Sequence, residues 1–214
     1  CDNAVLAGGA CSRLFCGNHC IDLPQFRVCA SAMRIDPVDA GLDLTLNASD
    51  FTARRRQDGG YTVSQAGTST ADLTPDSIRL CHRFLPAWMA ERKYLKLRLG
   101  RRFFEELATP RRFSLAHPTP FEKVRTWDPA PATAMLDGAL ANLQEAFPSF
   151  EGARVAQAWA GMIDVTPDSL PVISAADSLP GFFIATGFSA HGFGIGPGAG
   201  GLMADIVRGV TPRV

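Results

Sequence analysis

The sequence predicts an α+β fold, in which a mixed, largely antiparallel sheet carries helices against one face. Two β-rich runs, 51–57 and 61–65, flank an Asp58-Gly59-Gly60 turn, a pattern typical of a β-hairpin. Apolar residues recur at helical spacing over 132–147. Strand candidates are interrupted by helix candidates, and both chain ends are predicted to contribute to a second, smaller layer.

The first predicted element is an apolar strand over residues 3–7, which ends in Gly8-Gly9. A short, fully apolar run is typical of a buried parallel strand. The two glycines allow the chain to turn sharply after it. A longer strand, with apolar and polar residues in alternation over much of its length, is predicted over 25–35.

Three arginines, Arg54, Arg55 and Arg56, crowd the first arm of the predicted hairpin. On a strand the outer two share a face and the middle one points the other way. A solvated arginine face is the favoured interpretation, and substrate recognition is the alternative.

Helices are predicted in the middle of the chain. A Thr74-Pro75-Asp76 start precedes apolar residues at helical spacing over 77–89, and 95–107 continues in the same manner. Both are expected to be packing helices outside the active site. Residues 109–131, rich in proline and arginine, are expected to be irregular, and a strand is predicted over 153–162.

The C-terminal quarter is dominated by glycine. A strand is predicted over 182–186, and seven of the fifteen residues from 187 to 201 are glycine, against an average share of about 7%. A helix is predicted to begin near Pro197, since proline suits a first helical turn. A strand that leads through glycines into a helix N-terminus presents free N–H groups, which suit an anion or an electron-rich ring edge.

The composition excludes several classes of protein. The chain has 214 residues, 46% of them hydrophobic, and 21 basic residues balance 21 acidic ones, so no net charge favours a nucleic-acid partner. No apolar run approaches the roughly 18 residues of a membrane span, and no basic leader marks a signal peptide. The expectation is a cytoplasmic protein. Because the chain lacks an initiator methionine and opens on a strand-like run, it is expected to be a fragment or a processed chain.

Five of the six cysteines lie within the first 29 residues. Cys11, Cys16, His19 and Cys20 are close enough in sequence to suggest a zinc-binding interaction module. Their C-x4-C-x2-H-C spacing is not one of the usual paired spacings of zinc sites, however. Reduced, free cysteines and no metal are therefore the expectation.

Two long motifs carry a family resemblance. The block W-A-G-x-x-x-x-T-P-D-x-x-P-V-I at 159–173 is followed by A-T-G-F-S-x-H-G-F-G-I-G-P at 185–197. Together they resemble the C-terminal signature of the FAD-dependent amine oxidoreductases, which include D-amino acid oxidase, glycine oxidase and sarcosine oxidase. The resemblance implies FAD as the cofactor and a small amine or amino acid as the substrate.

The resemblance also implies how the chain is divided. Residues 1–20 resemble the last strand region of a Rossmann-like FAD-binding domain, and 21–160 resemble the substrate-binding domain with its antiparallel sheet. Residues 161–214 would return to the FAD domain with the glycine-rich turn and a C-terminal helix. Residues 119–125 resemble a strand that returns to the substrate sheet.

Site residues follow from the same resemblance. The residues implied to line the flavin are Ala7, Gly8, Gly9, Gly187, Ser189, His191, Gly192, Phe193, Gly194 and Ile195. His191 is the only titratable member and hence the candidate catalytic residue, with a purely structural hydrogen-bonding role as the alternative. The N–H groups of 192–195 are expected to stabilise negative charge on the reduced ring.

The substrate side departs from the family pattern. Glycine-oxidase-like members have an arginine after the W-A-G-x block that clamps the substrate carboxylate, and this chain has Ile163 there. Ile163 and Arg54 are the candidate substrate-binding residues. Arg34, Arg56 or Arg125 could replace the missing arginine, or the substrate could lack that carboxylate.

The dinucleotide fingerprint of these flavoproteins, G-x-G-x-x-G with an acidic residue about 20 positions later, does not open this chain. Residues 196–201 match the pattern, but the 13 residues that follow leave no room for the rest of the motif. The resemblance therefore covers the C-terminal part of the family. The favoured hypothesis is an FAD-dependent oxidase or dehydrogenase that oxidises a C–N bond by hydride transfer to flavin. The alternative is a non-catalytic remnant or subunit that needs a partner chain, or the missing N-terminal half, to hold FAD.

Overall fold

The computed structural model describes residues 1–66, 69–92 and 95–212. In chain order the strands are β1 (Ala4–Leu6), β2 (Phe26–Ile35), β3 (Leu46–Asn47), β4 (Thr52–Arg55), β5 (Tyr61–Ser64), β6 (Ser69–Asp72), β7 (Leu95–Arg98), β8 (Val155–Val165), β9 (Val172–Ala175) and β10 (Phe182–Thr186). The helices are α1 (Ser12–Asn18), α2 (Pro75–Arg79), α3 (Cys81–Glu91), α4 (Arg101–Ala108), α5 (Pro120–Lys123), α6 (Thr133–Ala146) and α7 (Gly192–Val207). Short 3₁₀ turns cover Gly9–Cys11 and Pro148–Phe150.

The strands form two sheets. The larger one has the order β3-β4-β5-β2-β6-β7, and β8 pairs with β2 over nearly the whole length of both strands, from Phe26↔Val165 to Ile35↔Val155. Only the pairing of β6 with β7 is parallel among the described strands of this sheet. The smaller sheet has the order β1-β10-β9. The predicted α+β fold with a mixed, largely antiparallel sheet is confirmed.

The main core lies on one face of the larger sheet, which we call the covered face. Met33 and Val63 point to this face and are fully buried against α6, whose Leu143 is also fully buried. The strand and helix periods explain the contact, since Met33 and Ile35 of β2 share one face and one stripe of α6 is apolar. Phe150, in the 3₁₀ turn after α6, closes the core edge-on against Tyr61, with 4.8 Å between ring centroids.

The opposite face of the larger sheet, which we call the open face, is largely exposed. Trp159 of β8, which pairs with Ala32 of β2, lies on it and is 36% exposed. The exposure of this face falls towards the C-terminal end of β8, where α3 packs over part of it. There the ring centroids of Phe26 and Phe84 stack 3.7 Å apart. The two faces of one sheet therefore have different environments.

Several predicted elements are confirmed with shifts of one to three residues at their ends: the strand at 3–7, the long strand at 25–35, the hairpin, the helix at 132–147, and the strands at 153–162 and 182–186. The hairpin turn is stabilised as its sequence suggests, because Asp58 Oδ1 accepts a hydrogen bond from Gly60 N at 3.0 Å. The first strand is parallel to β10 as predicted, but it is not buried, since it lies at the edge of the smaller sheet and Val5 is 47% exposed.

The middle of the chain corrects two helix predictions. The predicted helix at 77–89 is divided at Leu80, which ends α2 and precedes α3. The predicted helix at 95–107 is a strand, β7, followed by α4. Leu95 and Leu97 are two residues apart, which is the period of a strand, and the segment pairs with β6.

The prediction of a strand at 119–125 is wrong, because this segment contains the one-turn helix α5. Thr119 and Glu122 form a capping box in which Thr119 N donates to Glu122 Oε2 at 2.7 Å, and Pro120 occupies the first helical turn. These local signals outweigh the family pattern.

The helix predicted near Pro197 begins five residues earlier, at Gly192, so Pro197 lies inside α7. The earlier start follows from His191, whose carbonyl oxygen accepts from the N–H groups of Gly194 and Ile195. Residues 196–201, which match the dinucleotide pattern, therefore form part of a helix and not a strand-to-helix turn. No helix in the described part of the chain is long and apolar enough to span a membrane.

Candidate functional site

Both chain ends meet at one edge of the smaller sheet. β1 and β10 are parallel neighbours, so their carboxyl ends lie on the same side. Ala7, Gly8 and Gly9 leave β1 there, and Gly187 leaves β10. Thr186 Oγ1 lies within 3.3 Å of the Gly9 carbonyl oxygen and joins the two ends. Sequence positions almost 180 residues apart are thus brought together, at the edge of a sheet where ligands commonly bind.

A single carboxylate, Asp164, organises this edge. Its Oδ2 atom accepts hydrogen bonds from Gly187 N at 2.6 Å, Thr186 Oγ1 at 2.9 Å and Gln25 Nε2 at 3.0 Å. Its carbonyl oxygen accepts from Ser189 N at 3.1 Å. The end of β8 therefore fixes the start of the glycine-rich turn that follows β10.

Gln25 extends this arrangement to the start of the chain. The side chain is almost fully buried, and its Oε1 atom accepts from Arg13 N of α1 at 3.1 Å. Gln25 Nε2 also lies 3.1 Å from Thr186 Oγ1. We call Gln25, Asp164 and Thr186 the buried polar network. Because a buried, satisfied network of this kind has a single favourable arrangement, it gives the turn a defined position.

Sequence reasoning missed this network. None of Gln25, Asp164 and Thr186 is among the candidate residues that the sequence predicts. The available signal was an acidic residue inside the apolar run M-I-D-V, where an unpaired charge would be costly.

The turn itself adopts unusual backbone angles. Gly187 has φ of +78°, and a Cβ atom at this position would lie 2.5 Å from Thr166 Cγ2, so only glycine fits. Ser189 and Ala190, which are not glycines, also have positive φ values of 49° and 72°. Such conformations cost about 1 to 3 kcal/mol each and cluster at functional sites.

The turn leads directly into the N-terminus of α7. The N–H groups of Gly192 and Phe193 have no acceptor among the described residues, whereas those of Gly194 and Ile195 bond to His191 O at 3.1 and 3.3 Å. The expectation of free N–H groups over 192–195 is therefore corrected to two. These two lie at the positive end of the helix.

An exposed, smooth surface surrounds these N–H groups. Phe193 is fully exposed and Ile195 is 43% exposed. Added Cβ atoms at Gly194, Gly196 and Gly198 would meet nothing within 4 Å. An apolar surface with open space at three glycines, beside two free N–H donors, suits a flat ligand with an electron-rich edge.

His191 acts in this structure through its backbone. Its carbonyl oxygen caps α7, and its N–H donates to Phe188 O at 2.8 Å. The residue is exposed.

Ile163 lies on the open face of the larger sheet, opposite Val28 of β2. It lines a cavity of about 500 Å³ whose rim includes Ser189 and Ala190. The residue at the position of the missing arginine therefore lies beside the strained turn.

The arginines considered as replacements lie elsewhere. Arg54 and Arg34 flank Thr62 in one row across the sheet, and Arg34 pairs with Gln157. Gln157 is six residues from Ile163, which is about 20 Å along a strand. Arg56 pairs with Asp58 in the hairpin turn, 3.2 Å apart, and Arg125 is exposed in the segment after α5. The structure does not bring Arg54 together with Ile163.

A charged cluster that sequence reasoning missed lies on the covered face, near α4. Arg27 is paired with Glu106, and its guanidinium lies over the Trp127 ring, 4.9 Å from the ring centroid. Burial lowers the pKa of Arg27, and the charge of Glu106 partly opposes this. Arg27 Nε donates to Ala10 O at 2.6 Å, so this arginine holds the chain after β1 in place.

The cysteines of the zinc hypothesis do not converge. Cys16 is fully buried in the small core beneath β10, and burial raises the pKa of its thiol to about 11. Cys20 is exposed, and His19 packs against Phe15 with ring centroids 4.8 Å apart. Over the described ranges no three His, Cys, Asp or Glu side chains form a group that could hold a metal ion.

Comparisons with known proteins agree on one family. The family model described as FAD dependent oxidoreductase matches residues 1–206. D-amino acid dehydrogenase from Methylobacterium nodulans is 34% identical over 75 residues, which is 34% of this chain and 17% of that protein. Glycine oxidase from Pseudomonas putida is 28% identical over 88 residues, 41% of this chain and 24% of that protein.

Two solved structures are similar over 99% of the chain. L-amino acid deaminase from Proteus vulgaris has a TM-score of 0.93 and 25% identity, and the match covers 49% of that protein. L-amino acid deaminase from Proteus myxofaciens, solved in complex with anthranilate, has a TM-score of 0.93 and 31% identity, with 47% covered. This chain spans about half the length of these solved structures.

Proposed function

The chain belongs to the family of FAD-dependent oxidoreductases, and from that premise we propose that it supplies the flavin-edge turn and the substrate side of an enzyme that oxidises the C–N bond of a small amine or amino acid. The observation that carries the proposal is the buried polar network, because it fixes the glycine-rich turn directly beside the cavity at Ile163.

The residues at this edge fit the ring system of the family's cofactor, FAD. Gly192 and Phe193 offer two free N–H donors, and added Cβ atoms at Gly194 and Gly196 would meet nothing within 4 Å, so the surface beside the donors is open. Ser12 Oγ, buried next to Gly8, has no hydrogen-bond partner among the described residues. We propose that these groups, with Ala7, Gly9, Ser189, His191, Gly194 and Ile195 around them, form the flavin-edge part of the site. No strand-to-helix G-x-G-x-x-G turn, which holds the ADP part of the cofactor in such folds, occurs among the described residues, because 196–201 lie inside α7.

FAD, when bound, supplies the acceptor for the hydride that leaves the carbon next to the substrate nitrogen. The chain's own part is to orient and to stabilise. The N–H groups of Gly192 and Phe193 lie at the positive end of α7 and favour negative charge at the ring edge. Asp164 is a positioning residue, because it contacts the turn and not the reacting atoms. His191 is proposed to contact the cofactor, and hydride transfer requires no proton from it.

The domain division is part of the same proposal. The smaller sheet with α1 and α7 would belong to the FAD-binding domain, and the larger sheet with α6 would be the substrate domain. β8 belongs to the larger sheet as far as Val165, so the chain would cross between domains at the buried polar network. This domain division and the proposed flavin edge do not distinguish an oxidase from a dehydrogenase.

A subunit or remnant that needs a partner chain to hold FAD is the second candidate. The observations that favour it are the fully exposed Phe193 and the open face of the larger sheet.

The six free cysteines support a cytoplasmic location, where thiols stay reduced.

The visible absorption spectrum of the purified chain, after incubation with excess FAD and desalting, tests the proposal. Retained flavin that small amines or amino acids bleach under anaerobic conditions supports autonomous oxidation of a C–N bond. A folded, colourless chain contradicts autonomous catalysis and leaves the partner-dependent subunit. A Gly187→Val variant is the matched control, since its side chain would collide with Thr166 and displace the turn.

A further inference from the structure

The cavity beside Ile163 is apolar on nearly all sides. Its floor comes from the open face of the larger sheet, and its cover comes from α3. The floor side chains are Val28, Ala71, Leu73, Leu95, Leu97, Ile163 and Val165, and the cover residues include Phe84, Leu85 and Trp88. A volume of about 500 Å³ lies within the usual range for small-molecule sites.

Charged groups contribute little to this cavity. Arg27 and Asp72 are the charged residues among its described lining, and both direct their charges to the covered face. Arg27 Nε donates to Ala10 O, and Asp72 is bound by Arg98 Nε at 2.7 Å. The polar groups that remain, such as Thr166 and Ser189, are neutral hydroxyls at the rim.

The cavity is also placed for a substrate group. Ser189 and Ala190 at its rim are followed within two residues by the free N–H groups of α7. A molecule with one end in the cavity would therefore hold its other end against the proposed flavin edge.

We infer that this cavity takes a large apolar group of the substrate, so that the enzyme acts on amines or amino acids with a ring or a long hydrocarbon side chain. The inference rests on the proposed function, because it names the substrate class of the same site. Ile163, in the place of an arginine, determines specificity by offering the ring an apolar surface where a guanidinium would require an anion.

Binding of phenethylamine and of ethylamine to the purified chain tests this inference without cofactor or turnover. The two probes share the ammonium group and differ by the ring. Burial of a phenyl ring contributes about 1.5 to 3 kcal/mol. At 1.4 kcal/mol per tenfold, phenethylamine is therefore expected to bind about 10-fold to 100-fold more tightly. Titration calorimetry gives both dissociation constants, and quenching of Trp88 fluorescence, absent in Trp88→Phe, locates the site.

Ile163→Asp places a carboxylate on the cavity floor and is expected to abolish most of the preference for the ring. Gln157→Asp is the matched control, since Gln157 pairs with Arg34 on the same face of the same strand as Ile163, exposed and outside the cavity. It should leave the ratio of the two dissociation constants unchanged.

Equal affinity for the two amines, or a preference that persists in Ile163→Asp, would overturn the inference. Neither result bears on flavin retention. Failure of the apolar cavity and failure of the proposed flavin site are therefore distinguishable.

Discussion

The two faces of the larger sheet differ in how completely other elements of this chain cover them. On the covered face, Met33 and Val63 are fully buried under α6. On the open face, Trp159 is exposed, and the cavity lies beside Ile163. The same strands thus build a packed core on one side and leave exposed apolar surface and a cavity on the other. The comparison teaches that the core that stabilises the sheet and the cavity proposed for the substrate lie on opposite faces.

The largest expected change in the free energy of unfolding comes from a substitution on the covered face. Leu143→Ala should lower the free energy of unfolding by about 2 to 5 kcal/mol, because it removes a fully buried side chain and leaves a cavity. Gln157→Ala, on the open face, should change it by less than about 0.5 kcal/mol, because Gln157 is exposed. Urea unfolding of both variants measures the contrast, and similar losses would show that the open face also carries the core.

Asp164→Asn should have the next largest effect, because the amide replaces a carboxylate that accepts three hydrogen bonds. A loss of about 1 to 3 kcal/mol is expected, together with faster hydrogen exchange at the Gly187 and Ser189 amides. Asp168→Asn is the control, since Asp168 is exposed and accepts only from Leu170 N among the described contacts. Unchanged hydrogen exchange in Asp164→Asn would show that the buried polar network does not fix the position of the turn.

A smaller effect is expected from acid, through the charged cluster at the α4 end of the covered face. Burial by itself raises the pKa of Asp72, but the hydrogen bond and charge of Arg98, followed by Arg102, outweigh it and hold that pKa below its usual value. A depressed pKa in the folded state means that the carboxylate stabilises the fold above the unfolded pKa, near 4. This contribution is lost as the pH falls through the folded pKa.

Urea midpoints measured between neutral pH and about pH 3 test this expectation. The midpoint should fall steeply below about pH 4, and the fall should be shallower in Asp72→Asn. An equally steep fall in that variant would assign the acid sensitivity to other carboxylates.

Much of the fold followed from local sequence signals. The alternation in β2, the Asp-Gly-Gly turn and the stripe of α6 each act within a few residues, so their elements were predicted nearly at their true positions. The failures have two different causes. The predicted helix at 95–107 included Leu95 and Leu97, but their spacing of two residues is that of a strand, and the segment pairs with β6. At 119–125 a capping box overrode the family pattern.

The candidate site was predictable only in part. The motif around Gly187 identified the turn, and the resemblance gave the family. The buried polar network was not predictable, because Gln25, Asp164 and Thr186 lie on three strands or strand ends that only the folded chain brings together. The positive φ values of Ser189 and Ala190 also have no sequence signal, since neither residue is glycine.

The central claim is that this chain holds the ring edge of FAD but not its ADP part. Titration of the purified chain with FAD and with FMN, followed by flavin fluorescence, tests it most directly. The two cofactors share the isoalloxazine ring, so their dissociation constants should agree within about threefold. Binding of FAD about tenfold tighter than FMN would place an ADP site in this chain. Binding of neither by the folded chain would also contradict the claim.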